Sequence, residues 1–406
     1  MRIIIVGGGF AGINLALSLA HNIKFQVLLV DKNSSNFFPP FLYQITKSFL
    51  EPSQISNPFL KLFSGKDNLV FHQGELERVV PTENKIVLRD GELEYDYLVL
   101  ATGTETNFSG LKNLAEHAFP LKTLEDSLKI RKHLSHQIEK ASASTSEDEI
   151  YKLLTLVIAG GGASGVELSA TLAEAKRKII HKKYPELSKY RQSIFLIERQ
   201  PEILSVMPEI SKVNMARYLN QIGIEVLHDT DVIDFTDSKV LLSSGDSIET
   251  ENLFWTAGTK GRKIRGFSTS VYGKDNRILV DRFNKVVDSY NIFSIGDMCL
   301  QEDSDNFPGG HPQVAQVAIQ QGINLAKNFQ RMAEQQPLEK FVYDDPGYSL
   351  NLGEMKAVAH LNRFNLDFNG ITAWLISLFV HRLPMTRHGS QAKMLYYTLQ
   401  SYLFKS

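Results

Sequence analysis

The first twenty residues, Met1–Ala20, read MRIIIVGGGFAGINLALSLA. Ile3, Ile4, Ile5 and Val6 make a short β-branched run, and a glycine cluster follows. Ile13, Leu17 and Ala20 then recur at helical spacing, so the stretch predicts strand, tight turn and helix. Gly7, Gly9 and Gly12 stand at G-x-G-x-x-G spacing. The first permits the turn, the second lets the backbone approach a pyrophosphate, and the third lets the helix pack close to the strand. The helix N-terminus then faces the negative charge. The next strand pattern, QVLLVD, ends on Asp31, 24 residues after Gly7, where an acid would bond a ribose hydroxyl. Phe10 and Ala11 in the turn and Lys32 beside Asp31 complete the first candidate dinucleotide site.

The same grammar returns in LTLVIAGGGASGVELSATLAE, Leu154–Glu174, with Gly160 following Gly7 by 153 residues. DYLVLATGT (Asp96–Thr104) resembles NLFWTAGT (Asn252–Thr259), with Gly103 and Gly258 offset by 155. Two matches at nearly one spacing point to an internal duplication. The expected class is α/β: two Rossmann-like dinucleotide-binding domains, each a parallel sheet with helical crossovers, plus a C-terminal helical region. Gly160, Gly162 and Gly165 form the second motif, and IFLIE places Glu198 at the following strand end. An acid there repels a 2′-phosphate and favours NAD over NADP, with Arg199 beside it weakening that preference. The alternative is that each glycine merely serves a tight turn.

Further along, Lys85–Leu88 reads as an inserted strand, Ser142–Glu149 as a surface loop, and IFSIGDM (Ile292–Met298) as a buried strand ending in Gly296-Asp297. A helix is expected from Pro312 through Asn328. Tyr343–Leu352 reads as strand or turn, while Gly370–Leu383 and Lys393–Phe404 read as amphipathic helices. Domain boundaries are expected at 1–118, 119–264, 265–335 and 336–406.

The 406 residues suit two or three domains at roughly 150 residues each. Hydrophobic residues at 43% and charged ones at 22% allow a large core. A net charge of -1 argues against nucleic acid as a partner. From Phe368 to Ser406 the chain carries Arg382, Arg387, Lys393 and Lys405 and no acid, so its end is a basic cap. One cysteine, Cys299, excludes an internal disulfide and any two-cysteine redox centre, and a buried small hydrophobe is its expected role. Ile3–Val6 is too short for a signal-peptide core, which predicts a cytoplasmic chain. No cluster at metal-ligand spacing stands out.

GGGFAG, LVLATGT, GGGASGVE and IFSIGDM, in this order, resemble the two-dinucleotide-binding flavoprotein disulfide reductase superfamily. That resemblance implies FAD in the first copy and NADH in the second. It puts Asp297, with Gly296, on the flavin's ribityl chain and Ala101, Thr102 and Gly103 beside FAD, with Gly258 their counterpart. Disulfide reductases and sulfide:quinone oxidoreductases work through several cysteines, which this chain lacks. Asn36–Ile55, Gly165–Glu174 and His311–Gly322 each resemble type II NADH:quinone oxidoreductase, most specifically in the core Ala315–Gln321. Pro39-Pro40, where Gln-Pro is expected, is a local departure. This resemblance implies hydride transfer from NADH to FAD and two electrons passed to a membrane quinone, without proton pumping.

Beside it stand readings of single residues. Glu167 is expected in the first turn of the second nucleotide-binding helix, stabilised by the helix N-terminus and a candidate proton source; the plainer reading is a helix-start carboxylate. Gln320 and Gln321 offer neutral donors and acceptors to a quinone carbonyl or the flavin edge, or else serve as polar helix contacts. A helix starting at Pro312 would aim its positive end at the flavin. By the resemblance Tyr43 and Gln44 line the quinone route, with core packing the alternative. Ile371, Trp374, Leu375, Leu378 and Phe379 are expected on one helix face. Ile371–Val380 is ten residues, short of the roughly 20 that span a bilayer, so the tail is expected to lie on the membrane. Tyr396, Tyr397, Tyr402 and Phe404 add interfacial aromatics, and the basic balance of 368–406 favours anionic lipid on the cytoplasmic side of the inner membrane. The same tail suits a homodimer face or a helix pair packed on the core. Two other functions stay open: a soluble flavin reductase for a ferredoxin-like protein, and an NADH-binding redox sensor.

Overall fold

The computed structural model describes residues 1–46, 51–205, 207–304, 306–353 and 355–380, the side chains of 210 and 378–380 excepted. The chain divides into two compact units, Met1–Phe37 with Ser56–Glu105 and Thr259–Pro346, and Phe38–Ile55 with Thr106–Gly258 and Gly347–Ser406. The sequence reading drew the first boundary at 118. Leu114 and Ala118 pack among Val157, Leu253 and Trp255, so the structure draws it at Glu105.

In the first unit, strands run in the order Ile292–Ser294, Tyr97–Leu100, Arg2–Val6, Gln26–Asp31, Leu69–Gln73, all parallel. Successive side chains point to opposite faces of a strand. Accordingly Ile3, Ile5, Val27, Leu29 and Val99 join one core, and Ile4, Val6, Val30, Leu98 and Leu100 join another on the other face. A sheet buried on both faces needs near-continuous apolar strands, which is why IIIV and VLLV read as runs and not as alternation. The first core also holds Ala318, Leu325, Ala326 and Phe329 of the helix Ala315–Ala333.

The second unit repeats the plan. Its parallel strands run Phe119–Pro120, Leu253–Trp255, Leu156–Ala159, Ile194–Ile197, Ile224–Leu227. Leu156, Ile158, Leu196 and Phe254 face one core; Val157, Ala159, Ile197 and Trp255 face the other. Each unit also carries a three-stranded antiparallel sheet, Leu76–Val80, Lys85–Leu88, Gly91–Glu94 in one and Val232–Thr236, Lys239–Leu242, Ser247–Glu249 in the other. The duplication read from two glycine offsets therefore extends through the order of four strands and the inserted sheet, while the outer strand follows the copy in the first unit and precedes it in the second.

Four local expectations change. Ser142–Glu149 is not a loop throughout: one helix runs to Ala143 and the next, Glu147–Leu154, starts with Ser146 as cap, its hydroxyl accepting from the Glu149 N–H. Ser-x-x-Glu is a helix-start signature that outweighs the segment's polarity. The Pro312 helix begins at Ala315, because Val314 is extended and the Gln313 side chain donates to the Asp297 carbonyl at 3.1 Å. It ends at Ala333, beyond Asn328. Ala357–Leu361, within which the sequence leaves Ala357–Ala359 unassigned as too short, is the central strand of a sheet with Gly347–Asn351 and Leu366–Asn369.

The last correction concerns the tail. The helix Gly370–Val380 sets Trp374, 4% exposed, and Ala373 against Ala357 and Ala359, while Ile371 and Leu375 are 54% and 53% exposed. Trp374 and Leu375, adjacent residues, lie about 100° apart around the helix, so one faces the sheet while the other faces away. Trp374 thus leaves the expected apolar face. The side chains of Leu378 and Phe379, and everything expected of Arg382, Arg387, His388 and Lys393–Phe404, lie outside the described residues. Among the described residues no helix is long and apolar enough to cross a membrane.

Candidate functional site

In the first unit the glycine turn has the geometry its spacing requires. Gly7 has φ +108°, and a Cβ there would stand 2.3 Å from the Ala101 carbonyl oxygen. A Cβ on Gly12 would stand 2.0 Å from the Gly7 oxygen, so helix and turn touch as backbone. Gly9, which precedes the helix Phe10–Ser18, has nothing within 4 Å of that position and opens onto free space. Phe10 is half-buried and Ala11 buried in the first helical turn. The Asp31 carboxylate accepts from the Gly8 N–H at 2.7 Å and the Asn33 N–H at 2.8 Å, fixing it at the strand end, with Lys32 exposed beside it. Ala101 is tied to Val6 through its N–H, Thr102 is exposed, and Gly103 turns the chain with φ +65°.

The second unit repeats this arrangement, with Glu198 in the place of Asp31. Gly160 has φ +104°, a Gly165 Cβ would meet the Gly160 oxygen at 1.8 Å, and Gly162 opens onto free space. The Glu198 carboxylate accepts from the Gly161 N–H at 2.6 Å and the Gln200 N–H at 2.8 Å. Gly258, φ +97° and exposed, closes the adjacent strand end. Each cradle fits a dinucleotide: an open glycine backbone at a helix N-terminus for the pyrophosphate, and an acid one strand away for a ribose.

Glu167 differs from expectation. The helix spans Ala163–Lys183, so Glu167 is its fifth residue, in the second turn and past the free N–H groups that would favour its charge. Burial dominates, and desolvation pushes the carboxyl up to about 8, although it accepts from the Asn351 N–H at 2.9 Å and from the Tyr43 hydroxyl. The Tyr43 oxygen accepts in turn from Asn351 Nδ2 at 2.9 Å and Gln44 Nε2 at 3.4 Å. Tyr43, Gln44 and Asn351 are all buried. Tyr43 and Gln44 thus meet Glu167 in one polar cluster. Asn351 was not foreseen. It lies 184 residues from Glu167 in sequence, and no local pattern marks it.

The adjacent glutamines part company. Gln320 gives both amide atoms to Asp344, Nε2 donating to its carbonyl at 2.8 Å and Oε1 accepting from its N–H at 3.0 Å. Gln321 is buried, its Oε1 accepting from the Gly296 N–H at 2.7 Å and its Nε2 donating to Cys299 Sγ at 3.3 Å. It therefore fixes the Gly296-Asp297 turn, where Asp297 stays partly exposed. Cys299 is buried and free, and desolvation pushes its thiol up to about 11, so it stays protonated and unreactive near neutrality.

The sequence pattern of the pyridine nucleotide-disulphide oxidoreductase family matches residues 1–322. The chain is 26% identical over 403 residues to the type II NADH:quinone oxidoreductase of Mycobacterium tuberculosis, covering 94% of this chain and 83% of that protein. It is 29% identical over 404 residues to the demethylphylloquinone reductase of Synechocystis, covering 95% and 93%. The solved NDH2 of Plasmodium falciparum in complex with NADH superposes with a TM-score of 0.88 at 20% identity, over 99% and 98% of the two chains. The sulfide:quinone oxidoreductase of Aquifex aeolicus gives 0.77 at 18% identity, over 100% and 96%. The relatives bear out the resemblance read from the sequence, and the solved structures establish the fold.

Proposed function

Because the chain belongs to the pyridine nucleotide-disulphide oxidoreductase family, we propose that it is a type II NADH:quinone oxidoreductase, oxidising NADH and reducing a membrane quinone without proton pumping. The observation that carries this reading is the pairing of two dinucleotide cradles with one buried, unreactive cysteine. Nothing in the chain supplies the thiol pair through which disulfide or sulfide chemistry would pass. The likeness to quinone-reducing relatives over more than nine-tenths of the chain supports the acceptor.

FAD, held by Gly7, Gly9, Gly12, Asp31 and the Gly296-Asp297 turn, supplies the two-electron redox chemistry when bound. Gly160, Gly162 and Gly165 receive the NADH pyrophosphate, and Glu198 receives a ribose hydroxyl and repels a 2′-phosphate. Glu167 holds a proton at neutral pH because of its burial, and so can donate one as quinone oxygens become basic on reduction. Tyr43, Gln44 and Asn351 orient that carboxyl, and Gln321 holds the turn before Asp297. Membrane association through residues 368–406, on the cytoplasmic side of the inner membrane, belongs to the same reading. The exposed Phe364, Leu366, Ile371 and Leu375 support it. A homodimer is compatible with it.

The test is an anaerobic titration of the purified protein with NADH, following the flavin's visible absorbance, then one addition of a soluble quinone. Bleaching and prompt recovery are expected. Bleaching without recovery would overturn the quinone as acceptor and leave a protein acceptor or a sensor, and absence of a flavin band would overturn the cofactor assignment.

A further inference from the structure

Within the second unit, lined by none of the cradle residues, a cavity of about 40 Å³ lies among the helices Leu124–Ala143 and Ala163–Lys183 and the short helix Leu42–Thr46. A water needs roughly 10–15 Å³ of such space, so the cavity takes about three waters or the few heavy atoms of a small molecule. Its wall is mostly leucine and isoleucine, broken by Thr46, Arg131, Ser135, Gln137 and Lys176. Lys176 is 8% exposed, and its only hydrogen-bond acceptor among the described residues is the Leu154 carbonyl, at 3.0 Å. An ammonium has three hydrogens to place, and two are left. Among the described residues Gln137, 5% exposed, has a buried Oε1 with no hydrogen-bond partner, and so has Arg131 Nη1, which forms only a long ion pair with Glu51 at 3.7 Å. If Gln137 Oε1 takes one Lys176 hydrogen, one Lys176 hydrogen and the Arg131 Nη1 group still lack an acceptor.

No carboxylate is among the described wall residues. A buried, unpaired ammonium costs several kcal/mol and is met either by losing its proton or by a counter-ion. We propose that this cavity is a binding site for a small monocarboxylate of acetate to propionate size, its oxygens accepting from Lys176 and Arg131 and its short tail lying against the leucine wall. The apolar wall distinguishes such a ligand from chloride, which offers no surface for it to cover. Without an anion, desolvation alone acts on Lys176 and pulls its pKa down to about 7, so the ammonium is available to a ligand below neutrality. Thr46, which lines the cavity, shares its short helix with Tyr43, the partner of Glu167, and bonds the Tyr43 carbonyl at 2.6 Å. Occupancy would brace the segment that orients Glu167.

The experiment titrates ¹³C-labelled acetate, then propionate, into the flavin-loaded full chain at pH 6.5 and constant ionic strength, without NADH or quinone. Its outcome is therefore independent of the proposed reaction. One saturable site is expected, weakened at least about tenfold in Lys176→Met, whose unfolding temperature rises because the unpaired charge is gone. Ala175→Leu, which fills the cavity, should also abolish binding while Lys176 remains. A response that never saturates, an unchanged affinity in Lys176→Met, or equal displacement by chloride would each overturn the assignment.

Discussion

Replacing Glu167 by Gln keeps the shape and the acceptor for Asn351 while removing the charge that burial disfavours. The folded carboxyl titrates near 8 against an ordinary 4.5, so between those values the folded state holds a proton that the unfolded chain has released. Stability is therefore fully present below about 4.5 and falls as pH rises toward 8. At about 1.4 kcal/mol per pH unit the gap is worth at most about 5 kcal/mol. Relaxation and water entry raise the effective dielectric, and roughly half, about 2–3 kcal/mol, is the expected share. At about 2–4 °C per kcal/mol, Glu167→Gln should unfold about 5–10 °C above the parent at pH 9 and within about 2 °C of it at pH 5. Thermal scans of both flavin-loaded proteins across that range, without NADH, are the assay. An offset that is the same at every pH, or none at pH 9, would refute burial as the origin of the raised pKa.

The cradle glycines separate binding from folding. Gly9→Ala, whose Cβ meets nothing, should fold normally yet lower the flavin-to-protein ratio, whereas Gly12→Ala, 2.0 Å from the Gly7 oxygen, should cost about 1–3 kcal/mol or more in melts of the apoprotein. Glu198→Gln removes the charge that repels a 2′-phosphate, so the ratio of kcat/KM for NADH over NADPH should fall roughly tenfold, about 1.4 kcal/mol of discrimination. Ile371→Glu with Leu375→Glu, both outward-facing, should leave the melting temperature unchanged and reduce sedimentation with anionic vesicles by about tenfold or more, since each apolar side chain contributes about 1.5–3 kcal/mol when buried; Trp374→Ala should instead destabilise the fold by about 3–5 kcal/mol.

The parts of this molecule that sequence made legible are those set by neighbours a few residues apart. Gly7, Gly9 and Gly12 could be assigned before any coordinates because turn, open backbone and close packing are properties of one βα unit. Asp31 and Glu198 followed because strand length fixes where the acid falls. What failed depended on partners far along the chain. Trp374 was assigned with Ile371 and Leu375 from spacing alone, but which face is covered is decided by the strand Ala357–Leu361. Gln320 reads as a free amide until Asp344 is seen to occupy both its ends. The start of the last nucleotide-domain helix moved from Pro312 to Ala315 because Gln313 is engaged with Asp297, a contact no propensity encodes.

The duplication also shows where the two halves had freedom to diverge. Gly12 and Gly165 allow no side chain, since a Cβ would meet the turn oxygen at 2.0 and 1.8 Å. Two residues on, the constraint lapses, and the copies differ. The first has Asn14, buried, with its amide turned back onto the Phe10 carbonyl at 2.8 Å, a neutral group satisfied within its own helix. The second has Glu167, whose partners Tyr43 and Asn351 come from segments outside the second copy's own span. Its carboxyl keeps its proton to about pH 8 because burial outweighs the Asn351 and Tyr43 hydrogen bonds, which favour the charged form, so the two copies share a frame and differ in what meets this helix position.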